Sequence, residues 1–221
     1  MADLRSVGIL GGTFNPPHLG HLALARYARE ELALERVLLM PAHIPPHKTA
    51  EQDPGAQHRL NMCRLAADGE PGVSVCSLEI DRPGPSYTVD TLSAIHASHP
   101  DAELTFIVGA DIARTLPAWR EPAKVLELAH VAVGARTGAS DEEVLETVAS
   151  LSRSPDSSGV SRSRPGGGEL RFLRMPIVEV SSSIVRQRVA RGENVELLVG
   201  PAVARYISEH GLYGSRAGSG V

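Results

Sequence analysis

Two histidines, a glycine pair and two prolines fall within one stretch, Gly8-Ile9-Leu10-Gly11-Gly12-Thr13-Phe14-Asn15-Pro16-Pro17-His18-Leu19-Gly20-His21. The apolar run Val7 to Leu10 precedes the glycines, and a helix-compatible segment follows. That order of strand, glycine turn and helix start collects backbone N–H groups at the end of a parallel strand. Neither Gly11 nor Gly12 has a Cβ to hold a ligand away. Pro16 and Pro17 stiffen the connection and suit a helix entry. His18 and His21 are three residues apart, so one helical turn brings both imidazoles to one face. The chemistry available to such a set is the gripping of a polyphosphate by neutral and cationic donors. Any two of these features would read as a tight βα connection with surface histidines; all of them together favour the phosphate reading. The dinucleotide pattern GxGxxG and the loop GxxxxGK[ST] are not what stands here.

A second phosphate-directed set lies far along the chain. Ser181-Ser182-Ser183-Ile184-Val185-Arg186 opens a helix with residues that satisfy its first N–H groups or offer them to an anion. Arg186 follows one turn later with a fork matched to phosphate oxygens. Between the two sets stand weaker candidates. Lys48, in Pro45-Pro46-His47-Lys48, reads equally as a phosphate ligand or as part of a rigid surface loop. Asp111, after Gly109, reads as a ribose acceptor or a helix N-cap, and both roles can coexist. Trp119 is the only tryptophan; it reads as core or as a stacking surface for a ring. Tyr87, taken alone, reads as an edge of the core.

These residues need strands and helices to carry them. Strands are expected at Val7–Leu10, Val37–Met40, Val73–Leu78, Glu103–Gly109, Val131–Gly134 and Leu170–Met175. Helices are expected over Leu19–Leu32, Gln57–Asp68, Val89–His99 with Thr88 as N-cap, Val125–Ala129, Asp141–Leu151, from Ser181 to a stop at Gly192, and Pro201–Glu209. The alternation predicts an α/β fold, a Rossmann-like doubly wound parallel sheet with helices on both faces. Residues 1–221 are expected to form a single domain, with a loop at 152–168 and a loose tail at 214–221. The candidates from the two ends of the chain meet only if their strands are neighbours where strand order reverses.

Net charge is −4 at pH 7, which argues against a general affinity for nucleic acid. Cys63 and Cys76 have no ligand-like spacing, so neither a zinc site nor a disulfide framework is expected. No apolar run reaches membrane length, and the first residues do not form a signal peptide. A cytoplasmic enzyme is expected, with no membrane partner and with homo-oligomerisation open.

Gly11 to His21 closely resembles the GGTF(D/N)PxHxGH signature of the nucleotidylyltransferase superfamily. Val180 to Arg186 is similar to its second motif, ISSTxIR, with Ser183 in place of Thr. Pro45-Pro46-His47-Lys48, Ser86-Tyr87-Thr88, Gly109-Ala110-Asp111, Leu116-Pro117-Ala118-Trp119 and the segment Val203–Tyr213 resemble the bacterial nicotinate-nucleotide adenylyltransferase family. The resemblance spans nearly the whole chain except 137–169.

That resemblance implies transfer of the adenylyl group of ATP to nicotinate mononucleotide, releasing pyrophosphate, with Mg²⁺ carried by the ATP phosphates and no metal ligands from the protein. It implies His18, His21 and Arg186 as catalytic residues. On the ATP side it implies Gly11, Gly12, Thr13, Phe14, Gly109, Arg136, Ser182 and Ser183. On the acceptor side it implies His47, Lys48, Tyr87, Thr88, Asp111 and Trp119, with Trp119 stacking on the pyridine ring. The rivals are an adenylyltransferase preferring nicotinamide mononucleotide and a non-catalytic nucleotide-binding module.

Overall fold

A computed structural model describes residues 5–46, 52–134, 168–176 and 178–214. Among the described residues six strands form one sheet: β1 Ser6–Gly12, β2 Arg36–Pro41, β3 Val73–Val75, β4 Glu103–Gly109, β5 His130–Gly134 and β6 Leu170–Leu173. Their order is β3-β2-β1-β4-β5-β6. Strand number runs outward in both directions from the β1–β4 pair, which is the doubly wound α/β arrangement expected. The chain divides into two compact units.

The first unit takes the described residues within Met1–Gly11, Tyr27–Leu38 and Tyr87–Ile177. Here β1 pairs with β4, β4 with β5 and β5 with β6, all parallel, with Leu10 opposite Ile107 and Gly109 opposite Gly134. Val7, Ile9 and Leu10 in β1, Leu104 to Val108 in β4 and Val131 to Val133 in β5 are buried. Continuous apolar runs of this kind suit parallel strands covered on both faces. Gly8 permits the packing: a Cβ there would come within 2.8 Å of both Ile107 Cδ1 and Leu34 Cδ1. The helices α4 Thr88–Ser98, α5 Ala110–Ala113 and α6 Pro122–Leu128 belong to this unit.

The second unit takes the described residues within Gly12–Arg26, Leu39–Ser86 and Val178–Val221. It holds α2 Ala56–Ala67, β3, α3 Leu78–Asp81, α7 Ser182–Ala190, α8 Glu196–Val199, α9 Pro201–Glu209 and a closing 3₁₀ turn, Leu212–Gly214. Helix α1, Leu19–Glu31, begins in it. The expected stop of α7 at Gly192 is a Schellman turn: the Gly192 N–H bonds Val189 O at 2.9 Å and the Glu193 N–H bonds Arg188 O at 2.9 Å, with Gly192 at φ 74°.

Five expectations need correction. The helix expected over Val125–Ala129 begins earlier and ends at Leu128: Pro122 stands in its first turn, where a missing N–H costs nothing. The strand expected over Val73–Leu78 ends at Val75, and Leu78 opens α3. Ser77 Oγ donates to Asp81 Oδ2 at 2.6 Å, closing a helical turn where the apolar pattern suggested extended chain. Tyr87, not Thr88, caps α4, because its carbonyl accepts both the Thr91 N–H at 3.2 Å and the Thr91 hydroxyl at 3.3 Å. Asp111 is not an N-cap either: Gly109 holds that position in extended geometry and Asp111 lies inside the first turn of α5. The strand expected to Met175 ends at Leu173. The helix expected over Asp141–Leu151 and nearly all of the expected loop and tail lie outside the described residues.

Candidate active site

The glycine turn closes β1 and enters α1. A Cβ on Gly11 would lie 3.1 Å from the Phe106 ring, and one on Gly12 would lie 3.2 Å from the Phe14 ring. Phe14 takes a left-handed backbone, φ 51°, and is buried. Its ring meets His21 edge-on at 4.9 Å between centroids, so any ligand contact it offers is through the backbone. His18 stands immediately before α1, and its carbonyl accepts the His21 N–H at 2.9 Å. The two imidazoles stack at 3.6 Å with an interplanar angle of 25°. The expectation that they share a face therefore holds, with His18 capping the helix. The His18 N–H donates to His21 Nδ1 at 3.2 Å, which leaves the ring proton of a neutral His21 on Nε2. Gly20 leaves room for this pair. Its missing Cβ would lie 3.0 Å from Val180 Cγ1 and 3.1 Å from His18 Nδ1.

The late serine–arginine set comes to the same turn. Ser182 Oγ donates to Pro16 O at 2.8 Å, and Arg186 Nη1 donates to Asn15 O at 2.8 Å. Arg186 Nη2 also donates to Ser183 Oγ at 3.4 Å. The side-chain cap of α7 is Ser181, whose Oγ accepts the Ile184 N–H at 3.3 Å. Residues 171 positions apart in sequence are thus joined by direct hydrogen bonds. Tyr213 adds a third link, donating to Asn15 Oδ1 at 2.7 Å. Burial pushes the Tyr213 phenol up from its ordinary range, and the nearby Arg186 charge opposes this only in part. The phenol therefore stays a hydrogen-bond donor. Asn15 serves through its carbonyl and amide oxygens, neither of which requires a charge.

The acceptor-side candidates that the structure describes lie in the first unit. Tyr87 and Trp119 are half-buried. Arg120 sits over the Tyr87 ring, 5.0 Å from its centroid, and pairs with Asp90 at 3.4 Å. Trp119 follows a 3₁₀ turn, Leu116–Ala118, and its Nε1–H donates to Thr115 Oγ1 at 2.9 Å. Its ring meets Phe106 edge-on at 5.7 Å, so one edge is packed while the residue as a whole stays half-exposed. Thr88 is half-buried in the first turn of α4. Asp111 is exposed, with Arg114 3.9 Å away. Gly109 ends β4 with open space where a Cβ would stand. His47, Lys48 and Arg136 lie outside the described residues.

Two residues escaped sequence reasoning. Arg59, in α2, is fully buried and bonds Thr13 O, Ala42 O, His43 O and Asp53. Tyr213 was legible only as part of a family-like segment. A signal for Arg59 existed: it shares a helical face with Cys63 and Ala66, both buried. The chemistry the second unit can perform is anion binding by amides, hydroxyls, imidazoles and a guanidinium. Among the described residues no group of three or more His, Cys, Asp or Glu could hold a metal ion, and no helix is long and apolar enough to cross a membrane.

A cytidylyltransferase-like family model matches residues 9–188. A probable nicotinate-nucleotide adenylyltransferase of Thermomicrobium roseum is 40% identical over 95% of this chain and 92% of its own length. One from a Roseiflexus species is 41% identical over 94% of this chain and 97% of its own. Among solved structures, Plasmodium falciparum nicotinic acid mononucleotide adenylyltransferase complexed with NaAD superposes with a TM-score of 0.74 at 17% identity, covering 96% of this chain and 98% of that one. The likeness to that structure is one of fold; the sequence relatives carry the closer kinship, and by them the chain belongs to the nicotinate-nucleotide adenylyltransferase family within the cytidylyltransferase-like group.

Proposed function

We propose that the chain transfers the adenylyl group of ATP to nicotinate mononucleotide, giving nicotinate adenine dinucleotide and pyrophosphate, a step of NAD synthesis. A 5′-phosphate oxygen of the acceptor attacks the α-phosphorus of ATP. A new P–O bond forms, the bond from the α-phosphorus to the bridging oxygen breaks, and its electron pair leaves on pyrophosphate. The attacking phosphate is already ionised near neutral pH, so the reaction needs no general base. The protein contributes alignment and stabilisation of charge on the departing oxygens.

His18, His21 and Arg186 are assigned that charge, with Ser182, Ser183 and the amides of Gly11 to Phe14 gripping the triphosphate. Gly109 and Arg136 are assigned to the adenosine side. His47 and Lys48 are assigned the acceptor phosphate, Tyr87, Thr88 and Asp111 its ribose and carboxylate, and Trp119 its ring. Mg²⁺ carried by ATP would neutralise phosphate charge, a task that His18, His21 and Arg186 would share, since the donors here are cationic or neutral rather than carboxylate. The substrates are small molecules, residues 1–221 act as one domain, and the work is done in the cytoplasm.

The observation that carries the reading is the joining of Ser182 and Arg186 to the carbonyls of Pro16 and Asn15, beside the stacked His18–His21 pair. A sensor that only binds a nucleotide has no use for a second clamp on the leaving phosphates. The test is pyrophosphate release from ATP with each acceptor. Turnover is expected with nicotinate mononucleotide and much less with its amide, because helix N-termini favour a carboxylate over a neutral group. Equal efficiency with both acceptors would reject the acid preference, and release with neither would reject the reaction.

A further inference from the structure

The turn that carries Thr13 and Phe14 is aimed from behind, by a buried arginine on another helix. Arg59 is fully buried and spends its guanidinium entirely on the protein. Its Nε donates to Asp53 Oδ1 at 2.9 Å, Nη1 to Thr13 O at 3.0 Å and Ala42 O at 2.6 Å, and Nη2 to His43 O at 2.9 Å. A buried cation is tolerated only when so paired, and only a planar fork reaches acceptors in this many directions; the point charge of lysine does not.

The consequence follows from peptide planarity. In a trans peptide the C=O and the next N–H point in opposite directions. With Thr13 O held by Arg59, the Phe14 N–H is turned away from Arg59. Gly12 O is held in the same manner by the Ala42 N–H at 2.9 Å, which directs the Thr13 N–H. Both turn amides are thus oriented by bonds on their far side. The bonding continues outward: the His43 N–H donates to Ser86 Oγ at 2.9 Å, His43 Nδ1 meets Arg82 O at 3.0 Å, and the Ser86 N–H donates to Ile44 O at 2.9 Å. One chain of hydrogen bonds runs from the glycine turn through Arg59 and His43 to the segment ending at Ser86.

We propose that Arg59 is a positioning residue, which sets the direction of the Thr13 and Phe14 amides and couples it, through His43, to the segment bearing Ser86. This rests on the function proposed above. It predicts a loss of alignment rather than of affinity. For Arg59→Lys, kcat should fall by about 10–100-fold while KM for ATP and for nicotinate mononucleotide each stays within about 3-fold. Ser86→Ala, which loosens the far end of the same chain, should lower kcat by about 5-fold.

The experiment measures dinucleotide formation for wild type, the two single variants and the double variant, with thermal melts of each. Support requires folded Arg59→Lys with the kcat-only loss, and a double variant about as slow as Arg59→Lys alone, because links in one chain are not independent. Unchanged kcat with a lowered Tm would make Arg59 a packing residue and overturn the proposal. So would losses that multiply in the double variant, or a defect confined to KM. Should Arg59→Lys not fold, Ser86→Ala decides alone, and wild-type kcat there overturns the coupling. No dinucleotide from wild type overturns the reaction itself, whereas a working wild type matched by Arg59→Lys overturns only this inference.

Discussion

The groups assigned above to phosphate and those assigned to the acceptor ring are held in different ways. His18, Asn15 and Phe14 are buried, and the turn they belong to is bonded by Ser182, Arg186, Tyr213 and Arg59. Tyr87 and Trp119 are half-buried, Asp111 is exposed, and their polar bonds are mostly to close neighbours in sequence, as with Trp119 and Thr115. The difference matches two physical tasks. Charge that develops only in the transition state is best met by donors already fixed in place, since no free energy is then lost in reorganising them. A ring that must enter and leave is better met by a surface with one free side. On the function proposed above, the first kind of group is expected to govern kcat and the second the affinity for one substrate.

The largest effect expected is that of His18→Ala. Removing one fixed donor should lower kcat by about 10²–10³-fold, by analogy with the loss of an oxyanion donor, with little change in KM for ATP. Steady-state kinetics at saturating acceptor measures this. A variant that keeps its kcat and loses only ATP affinity would erase the contrast, because His18 would then be a ground-state ligand like those on the ring side.

Trp119→Ala should behave in the opposite sense. Aromatic stacking on a base is worth about 1–3 kcal/mol, so KM for nicotinate mononucleotide should rise by about 10-fold or more while KM for ATP is kept. Separate titrations of the two substrates read the two constants. The edge contact with Phe106 supplies the competing explanation. Comparable loss of both substrates would mean that the indole is packing the first unit and that its free side carries no ligand.

Much of this contrast was legible in the sequence, and the reason differs by element. Strand β4 and helix α9 match their expected limits at both ends, Glu103–Gly109 and Pro201–Glu209, because an uninterrupted apolar run, a glycine and a proline mark them locally. The His18–His21 pair was legible because three-residue spacing survives any tertiary context. Arg59 was not, because an arginine in a helix ordinarily reads as solvated, and its partners Thr13, Ala42 and His43 lie up to 46 positions away. Leu78 was misread for the converse reason: an apolar residue after a strand continues the pattern unless a side-chain pair such as Ser77 and Asp81 bends the chain. The meeting of the two chain ends was an inference from strand order, and it needed coordinates to become bonds.

Tyr213→Phe tests the interlocked side without touching its chemistry, so it should be the mildest of the three in kinetics. The change deletes the donor to Asn15 Oδ1, on a residue only 4% exposed. A buried acceptor deprived of its partner costs about 1–3 kcal/mol, which a thermal melt reads as a lower Tm, while kcat should stay within about 3-fold because Arg186 still holds Asn15 O. The variant also carries a pH signature. Burial raises the folded Tyr213 above its ordinary 10.0, so the unfolded chain loses that proton first as pH rises. The phenol's share of stability is complete below pH 10.0 and declines above it. Phenylalanine has no proton to lose, so the Tm gap between wild type and variant should hold from about pH 8 up to the ordinary 10.0 and narrow by about pH 11. Cys63, whose thiol burial likewise pushes up, is present in both proteins. A gap that is constant across that range would show that the hydroxyl reaches water, and that this side of the molecule is no more tightly closed than the surface around Trp119.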